Sequence, residues 1–307
     1  MIGCVLENFT QACDAIGIKS SIEQKFFSYK GLPCYGSISF AKGLEGFSAP
    51  GDYEKIPLFN RHTNRFAYKN LNMPTDIRRK VLDYSGLNTK VKVYESQKLI
   101  RQVTSFIRSA SEIRFQTKEV HEWLGKSLRY GRSNECSLDG LDVNTIDLPL
   151  GGKYFLRLIS EWKTMAFLNW FGVYKVMARI DSTPVRKAPA LLAITSPDTY
   201  EGTIAAGRLL TKVWIYLNSQ GIAVHPYYVV SDQLSRWKEK KIPEKLENQA
   251  SILVEDATRF FELEGNQTLQ MLFRIGYPKR APIKSKRLPL EQVYTDLSKK
   301  KESTHHF

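Results

Sequence analysis

The decapeptide "FNRHTNRFAY", residues 59–68, sets Arg61 and Arg65 four positions apart with His62, Thr63 and Asn64 between them. On a helix, two like charges at that spacing cost about 0.2–0.5 kcal/mol. An anion placed between them turns the cost into a gain, because the guanidinium fork pairs with phosphate or carboxylate oxygens and keeps its charge at any working pH. A second basic cluster, "YPKRAPIKSKRLPL", carries Lys286 and Arg287 near the other end of the chain. The chemistry suggested is the holding of an anionic group. No H-E-x-x-H or C-x-x-C spacing is present, so neither a zinc site nor a protein nucleophile is expected.

With 307 residues, 42% apolar and 12% aromatic, the chain can build a full hydrophobic core. The net charge of +14 favours anionic partners without choosing among phosphate, nucleic acid and acidic lipid. The run Lys299–Lys301 fits a solvated tail. Cys4, Cys13, Cys34 and Cys136 have no paired spacing and no secretory signal precedes them, so a reduced, cytoplasmic setting is the expectation. "MAFLNWFGVYKVM" is the most membrane-like stretch, but it is short and Asn169 and Lys175 interrupt it. A buried or amphipathic helix is expected there and no membrane partner.

The elements that must hold the arginines show a repeat. "IGCVLENFTQACDAIGI" and "AAGRLLTKVWIYLNSQGI" each carry an apolar stripe at helical spacing closed by a glycine in C-cap position. At an offset of 204 residues Gly3 meets Gly207, Leu6 meets Leu210, and Gly17-Ile18 meets Gly221-Ile222. Downstream, "YGSISF" before "IPLFNR" echoes "QMLFRIGYP" before "LPLEQVY", with a charged insertion in the second copy. Residues 1–55 then read as the tail of one incomplete unit, 56–294 as a whole unit, and 295–307 as a basic tail. Helices are expected at 75–84, 97–108, 117–127, 153–178 and 203–219. "KVKVYES", "APALLAITS" and "QMLFRIGYP" are expected as strands, and "GIAVHPYYVV" as a loop into a short helix. This mixture suggests an α+β fold around a central, mostly antiparallel sheet flanked by helices.

Taken together, these segments resemble the nitroreductase family of flavoproteins, in particular its tandem branch with two such units in one chain. Arg61, His62, Thr63, Asn64 and Arg65 resemble the family's R-[RH]-[ST]-x-[RK], and "SKRLPLEQV" its closing S-x-R-x-P-L-E-x-V. "APALLAITSPD", "NSQGIAVHPYY" and "FRIGYP" fall between them in the family's order. The resemblance implies bound FMN. Arg61 and Thr63 would hold the ribityl-phosphate arm and Arg65 the pyrimidine edge, while Lys286 and Arg287 would close on the phosphate. Tyr227 and Tyr228 stand where family members present a backbone N–H to the reactive nitrogen, usually from glycines. The family's P-S-x-x-N-x-Q-P-W stretch is poorly matched by "DYSGLNTKVKV", which keeps Ser85 and Asn88 only. The loop facing the Arg61 cradle would then belong to an upstream half or to a second copy of the chain.

The function so implied is hydride transfer from NAD(P)H through FMN to a small-molecule acceptor such as a nitroaromatic or quinone. No catalytic side chain is named, because the cofactor carries the reaction. Two other classes remain open: a flavin-holding protein without turnover, and a nucleic-acid binder. The second lacks any RRM, KH, zinc-finger or helix-turn-helix signature.

Overall fold

The computed structural model of the chain describes residues 1–23, 25, 27–29, 32–34, 36–41, 55–131, 140–148, 150–284 and 288. Its first part is helix α1 (Ile2–Ala15) followed by short strands β1 (Ser20–Glu23), β2 (Phe27–Tyr29), β3 (Leu32–Cys34) and β4 (Ser37–Phe40). One turn, α2 (Pro57–Asn60), then leads through the 61–69 segment to α3 (Thr75–Asp83) and β5 (Lys90–Tyr94). Five helices and two short strands follow: α4 (Gln97–Gln116), α5 (Lys118–Ser127), β6 (Leu128–Arg129), β7 (Leu141–Asp142), α6 (Gly152–Ile159), α7 (Trp162–Asn169) and α8 (Val173–Arg186). The last third is β8 (Ala190–Pro197), α9 (Tyr200–Ser219), β9 (Ala223–Tyr227), α10 (Val229–Lys238), α11 (Glu247–Phe261) and β10 (Gln267–Gly276).

The central sheet has the order β5-β8-β10-β9, and every pairing in it is antiparallel. The expected α+β architecture with a flanked antiparallel sheet is therefore the one found. Side chains alternate across it, as the two-residue period of a strand requires. Leu191, Ala193, Leu272 and Tyr227 enter a core with α4, α10 and α11, whereas Leu192, Ile194, Phe273 and Val224 enter another with α3 and α9. Burial on both faces is why β8 reads as a continuous apolar run.

Three expectations are corrected. "GIAVHPYYVV" is not a loop: Ala223–Tyr227 is strand β9, because its alternate side chains meet two cores. The single helix at 153–178 is three, separated at Ser160-Glu161 and at Gly172, whose φ of 78° no helix continues through. The helix beginning at 97 runs to Gln116 rather than 108, since Ala110, Ile113 and Phe115 continue its buried stripe.

Helix α1 lies against α9 with Gly3 and Gly207 in contact, and the two helices end alike. Ile18 N donates to Cys13 C=O at 2.9 Å and Gly17 N to Asp14 C=O at 3.1 Å; Ile222 N donates to Leu217 C=O at 2.9 Å and Gly221 N to Asn218 C=O at 3.1 Å. Both glycines are left-handed, at φ 73° and 70°. The strands after them keep the same register. Ser20 faces Phe40 and Glu23 faces Ser37, as Val224 faces Ile275 and Tyr227 faces Leu272.

Candidate functional site

The segment 61–69 forms neither helix nor strand and is fixed by hydrogen bonds at both ends, the first being His62 N to Asn218 Oδ1 at 2.8 Å. Tyr68 bridges Pro278, Lys69 N donates to Tyr277 C=O at 2.8 Å, and Lys279 N donates to Ala67 C=O at 3.0 Å. At its centre Asn64 is fully buried. Its N–H donates to Val224 C=O at 3.0 Å, and its side-chain amide donates to Arg280 C=O at 3.1 Å. Its Oδ1 accepts from Phe66 N at 3.0 Å, and its carbonyl accepts from the Tyr68 hydroxyl at 2.6 Å.

Arg274 projects from β10 onto the face shared with His225, its partner in register. It is buried, donates from Nη2 to the carbonyls of Asn64 (3.3 Å) and Phe66 (2.9 Å), and lies 4.1 Å over the Tyr68 ring. Arg274 Nε and the neighbouring His225 Nδ1 are both buried without a hydrogen-bond partner among the described residues.

Tyr68 and Arg274 stand in the inner wall of a cleft of about 510 Å³, a size suited to a small ligand. Arg65, Tyr68, Arg274 and Lys279 line one side; Ile180, Thr183 and Pro184 from α8, with Lys187 just after it, line the other. Pro184 has no N–H to close its helical turn on Ile180 C=O. Arg65 touches Thr145 Oγ1 at 3.3 Å, and burial pulls its pKa down, against the pull of the nearby Tyr227 and Tyr68 hydroxyls. The one acid on the wall, Asp147, is taken by Arg280 at 3.0 Å. Among the described residues no carboxylate pairs with Arg65, Arg274, Lys187 or Lys279. The cleft is cationic, and among the described residues its charge lacks an internal counterion.

The expected site residues are distributed as follows. Arg65 lines the cleft. Arg61 turns to α9, its guanidinium carbon 4.8 Å from the centre of the Trp214 ring, and the indole N–H donates to His62 C=O at 2.9 Å. Thr63 is half-buried between them. Tyr227 is buried beside the cleft, 4.5 Å from the His225 ring, its hydroxyl 3.4 Å from Asp181 C=O. Burial raises the Tyr227 pKa and holds His225 neutral by lowering its pKa well below the usual value, with Arg274 and Arg65 reinforcing the latter. Tyr228 belongs to another cleft of about 470 Å³, with Trp123, Leu124, Arg114, Asp232 and Arg236. Lys286 and Arg287 lie outside the described residues, as does Cys136. Ser85 accepts from Val91 N at 3.0 Å and serves its own turn.

Sequence reasoning missed Asn64, Tyr68, Arg274, Lys187 and Lys279. For Arg274 there was a signal, an arginine inside the apolar strand "QMLFRIG". A charge at such a position is tolerated only with a built polar environment.

No protein-family model matches the sequence, and no curated protein matches it. Solved structures do. The FMN-dependent nitroreductase NfnB from Mycobacterium smegmatis, in complex with NADPH, is 14% identical over 78% of this chain and 96% of its own, with a TM-score of 0.45. A BluB-like flavoprotein from Clostridium difficile 630 is 13% identical over 80% of this chain and 100% of its own, with a TM-score of 0.43. Oxidized iodotyrosine deiodinase bound to FMN and 3-iodo-L-tyrosine is 14% identical over 78% and 96%, with a TM-score of 0.41.

Proposed function

We propose that this chain is an FMN-dependent oxidoreductase of nitroreductase type. The observation that carries the proposal is the cleft whose cations, Arg65 foremost, have no carboxylate partner among the described residues and stand beside Arg274, whose Nε is likewise unpartnered among them. That donor set fits a group with an anionic arm and a ring edge rich in acceptors. Arg65 would hold the pyrimidine edge, with Arg274 Nε behind it. Lys187 and Lys279, with Arg61 and Thr63 by resemblance, would neutralise the phosphate arm. Lys286 and Arg287 complete that reading from the sequence. When bound, FMN supplies hydride exchange with NADH or NADPH and electron delivery to a nitroaromatic, quinone or similar acceptor. The neutral His225 and the high-pKa Tyr227 add no negative charge beside Arg65, so its field stays directed at the ligand.

The matched helix caps and following strands at an offset of 204 residues, with partner strands matched at an offset of 235, support reading residues 1–55 as the tail of a second, pseudo-symmetric unit beside the 56–294 domain. On that reading the ring's outer wall comes from another unit, and flavin content should rise with protein concentration.

A flavin-holding protein without turnover is the second reading. Bulky Tyr227, buried beside the cleft, favours it, because it stands where the resemblance places a small backbone donor. Titration with FMN, followed by anaerobic mixing with NADPH in a stopped-flow cell, tests both. Rapid bleaching supports the oxidoreductase, bound but unreduced flavin supports the second reading, and absence of FMN binding sinks both.

A further inference from the structure

The outer side of α6, α7, α8 and the links between them carries large apolar side chains that no described residue covers. Tyr154 is 84% exposed, Phe167 64%, Trp170 91% and Phe171 73%, with Leu158, Val176 and Ile180 also exposed. The three helices bury a different stripe, Ile159, Met165, Met177 and Ala178, against Phe115. Exposed aromatics scattered singly need no explanation, but a set of this size concentrated on three consecutive helices does. Phe167 and Phe171 already touch, with ring centres 5.5 Å apart.

Charge decides what fits there. Lys153, Arg157, Lys163, Lys175, Arg179 and Arg186 lie on the same helices, and all are exposed. The only acids among them are Glu161 and Asp181, and Asp181 is occupied by Ser111 (2.6 Å) and Arg114 (3.2 Å) of α4. A second copy docking by a two-fold through this face would bring these basic helices against their own like-charged copies. Nucleic acid would answer the charge but not the aliphatic and phenyl groups. A bilayer surface with anionic headgroups answers both: Trp, Tyr and Phe settle at the headgroup level while Lys and Arg reach the phosphates. No described helix is long and apolar enough to cross a membrane, so the mode is lying on the surface.

We infer that the α6–α8 face docks this protein on anionic phospholipid membranes, contrary to the expectation of no membrane partner drawn from the sequence. Ile180 and Lys187 of the same region also line the cationic cleft, so a docked bilayer borders its mouth. The inference does not depend on the redox reading, since it rests on residues outside the cleft's inner wall.

Flotation of the full chain with phosphatidylcholine vesicles, with and without about one-third phosphatidylserine, tests it. Binding to the anionic vesicles alone is expected. Replacing Phe167 and Trp170 together by glutamate should weaken it at least tenfold, with an unchanged circular dichroism spectrum and melting temperature because both side chains are exposed. Binding that survives this double change would assign the attraction to the basic tail and overturn the inference. So would absence of vesicle binding, whether accompanied by a concentration-dependent dimer that the double change dissolves or by preference for duplex DNA.

Discussion

Arg274 donates to the main-chain carbonyl of Asn64 at 3.3 Å, joining the penultimate residue of the R-H-T-N-R motif to the last part of the sheet's longest strand. This contact explains how two segments about 210 residues apart build one wall. Asn64 is the part of the motif that holds the backbone, leaving the arginines beside it to act outward.

Asn64→Ala removes the side-chain bonds to Arg280 C=O and Phe66 N–H and leaves the latter buried without a partner. A loss of about 2–4 kcal/mol of folding stability is expected, two to three times that of an ordinary hydrogen-bond deletion. Urea unfolding measures it; a midpoint unchanged from the parent would remove Asn64 from the framework.

Arg65 and Arg274 line the same cleft but should separate in mutagenesis. Arg65→Ala loses one 3.3 Å contact and should cost under about 1 kcal/mol of stability while weakening FMN binding by about 1.5–3 kcal/mol. Arg274→Met strands the Phe66 carbonyl and leaves that of Asn64 to the Tyr68 hydroxyl alone, and should cost about 1–3 kcal/mol in stability as well as binding. Thermal melts and FMN titrations on the pair of variants give the four numbers. Equal destabilisation by both would mean that Arg65 is structural.

Acid should destabilise the fold through its buried histidines. His225 and His121 both have pKa values lowered in the folded state, chiefly by burial. The unfolded chain therefore binds protons first as pH falls. Stability is full above the unfolded histidine pKa of about 6.5 and declines below it, by about 1.4 kcal/mol per pH unit for each group, until the folded pKa is reached. Urea midpoints from about pH 7.5 down to about pH 5 should trace this slope, and His225→Gln should flatten it. A parent and a His225→Gln variant with parallel profiles would exclude His225 as the cause.

Much of this fold was legible because local signals agreed with tertiary packing. Gly17 and Gly221 mark true left-handed helix ends, and β5, β8 and β10 read directly from alternation or apolar continuity. What failed did so where one signal had two meanings. Pro226 and two tyrosines suggested a loop in "HPYY", yet β9 is the edge strand of its sheet, the place where a proline costs no ladder bond. In the site, Arg65 was found from its spacing. Lys187 and Lys279 carry no local mark, because only tertiary packing brings the residue after α8 and the segment after β10 beside Arg65.

Gly207→Ala tests the contact between α1 and α9. A Cβ there would stand 3.0 Å from Gly3 Cα and 3.2 Å from Cys4 N, both backbone atoms that cannot rotate away. Alanine improves the helix itself by about 1 kcal/mol, so any loss must come from the interface. Overpacking of about 1–3 kcal/mol should move α1 off and expose Glu7, now buried against Arg208 at 3.1 Å. Faster proteolysis near residues 16–23 with an unchanged far-ultraviolet spectrum is the expected signature, and a protease pattern identical to the parent's would show that α1 accommodates the methyl.

Whether Arg61 and Arg65 serve one anion is a question of coupling, since they leave their segment toward different elements, α9 and the turn at Thr145. The indole of Trp214 fixes Arg61 on one side, and its N–H bond to His62 C=O ties that placement to the motif's backbone. Two cations on one phosphate-bearing ligand are not independent: removing the first lets the ligand shift and devalues the second. The double variant Arg61→Ala/Arg65→Ala should therefore lose less FMN affinity than the two single losses added, with a coupling of about 1 kcal/mol or more. Trp214 supplies the readout that a merely structural role for Arg61 would leave still, because an anion drawn to the guanidinium alters the emission of the ring beneath it. FMN should perturb tryptophan fluorescence in the parent, less in Arg61→Ala, and far less in Trp214→Phe. Inorganic phosphate should give the Arg61-dependent part alone. Losses that add within about 0.5 kcal/mol, with Trp214 emission indifferent to both ligands, would place the two arginines at separate tasks and leave Arg65 as the motif's only contact with the flavin.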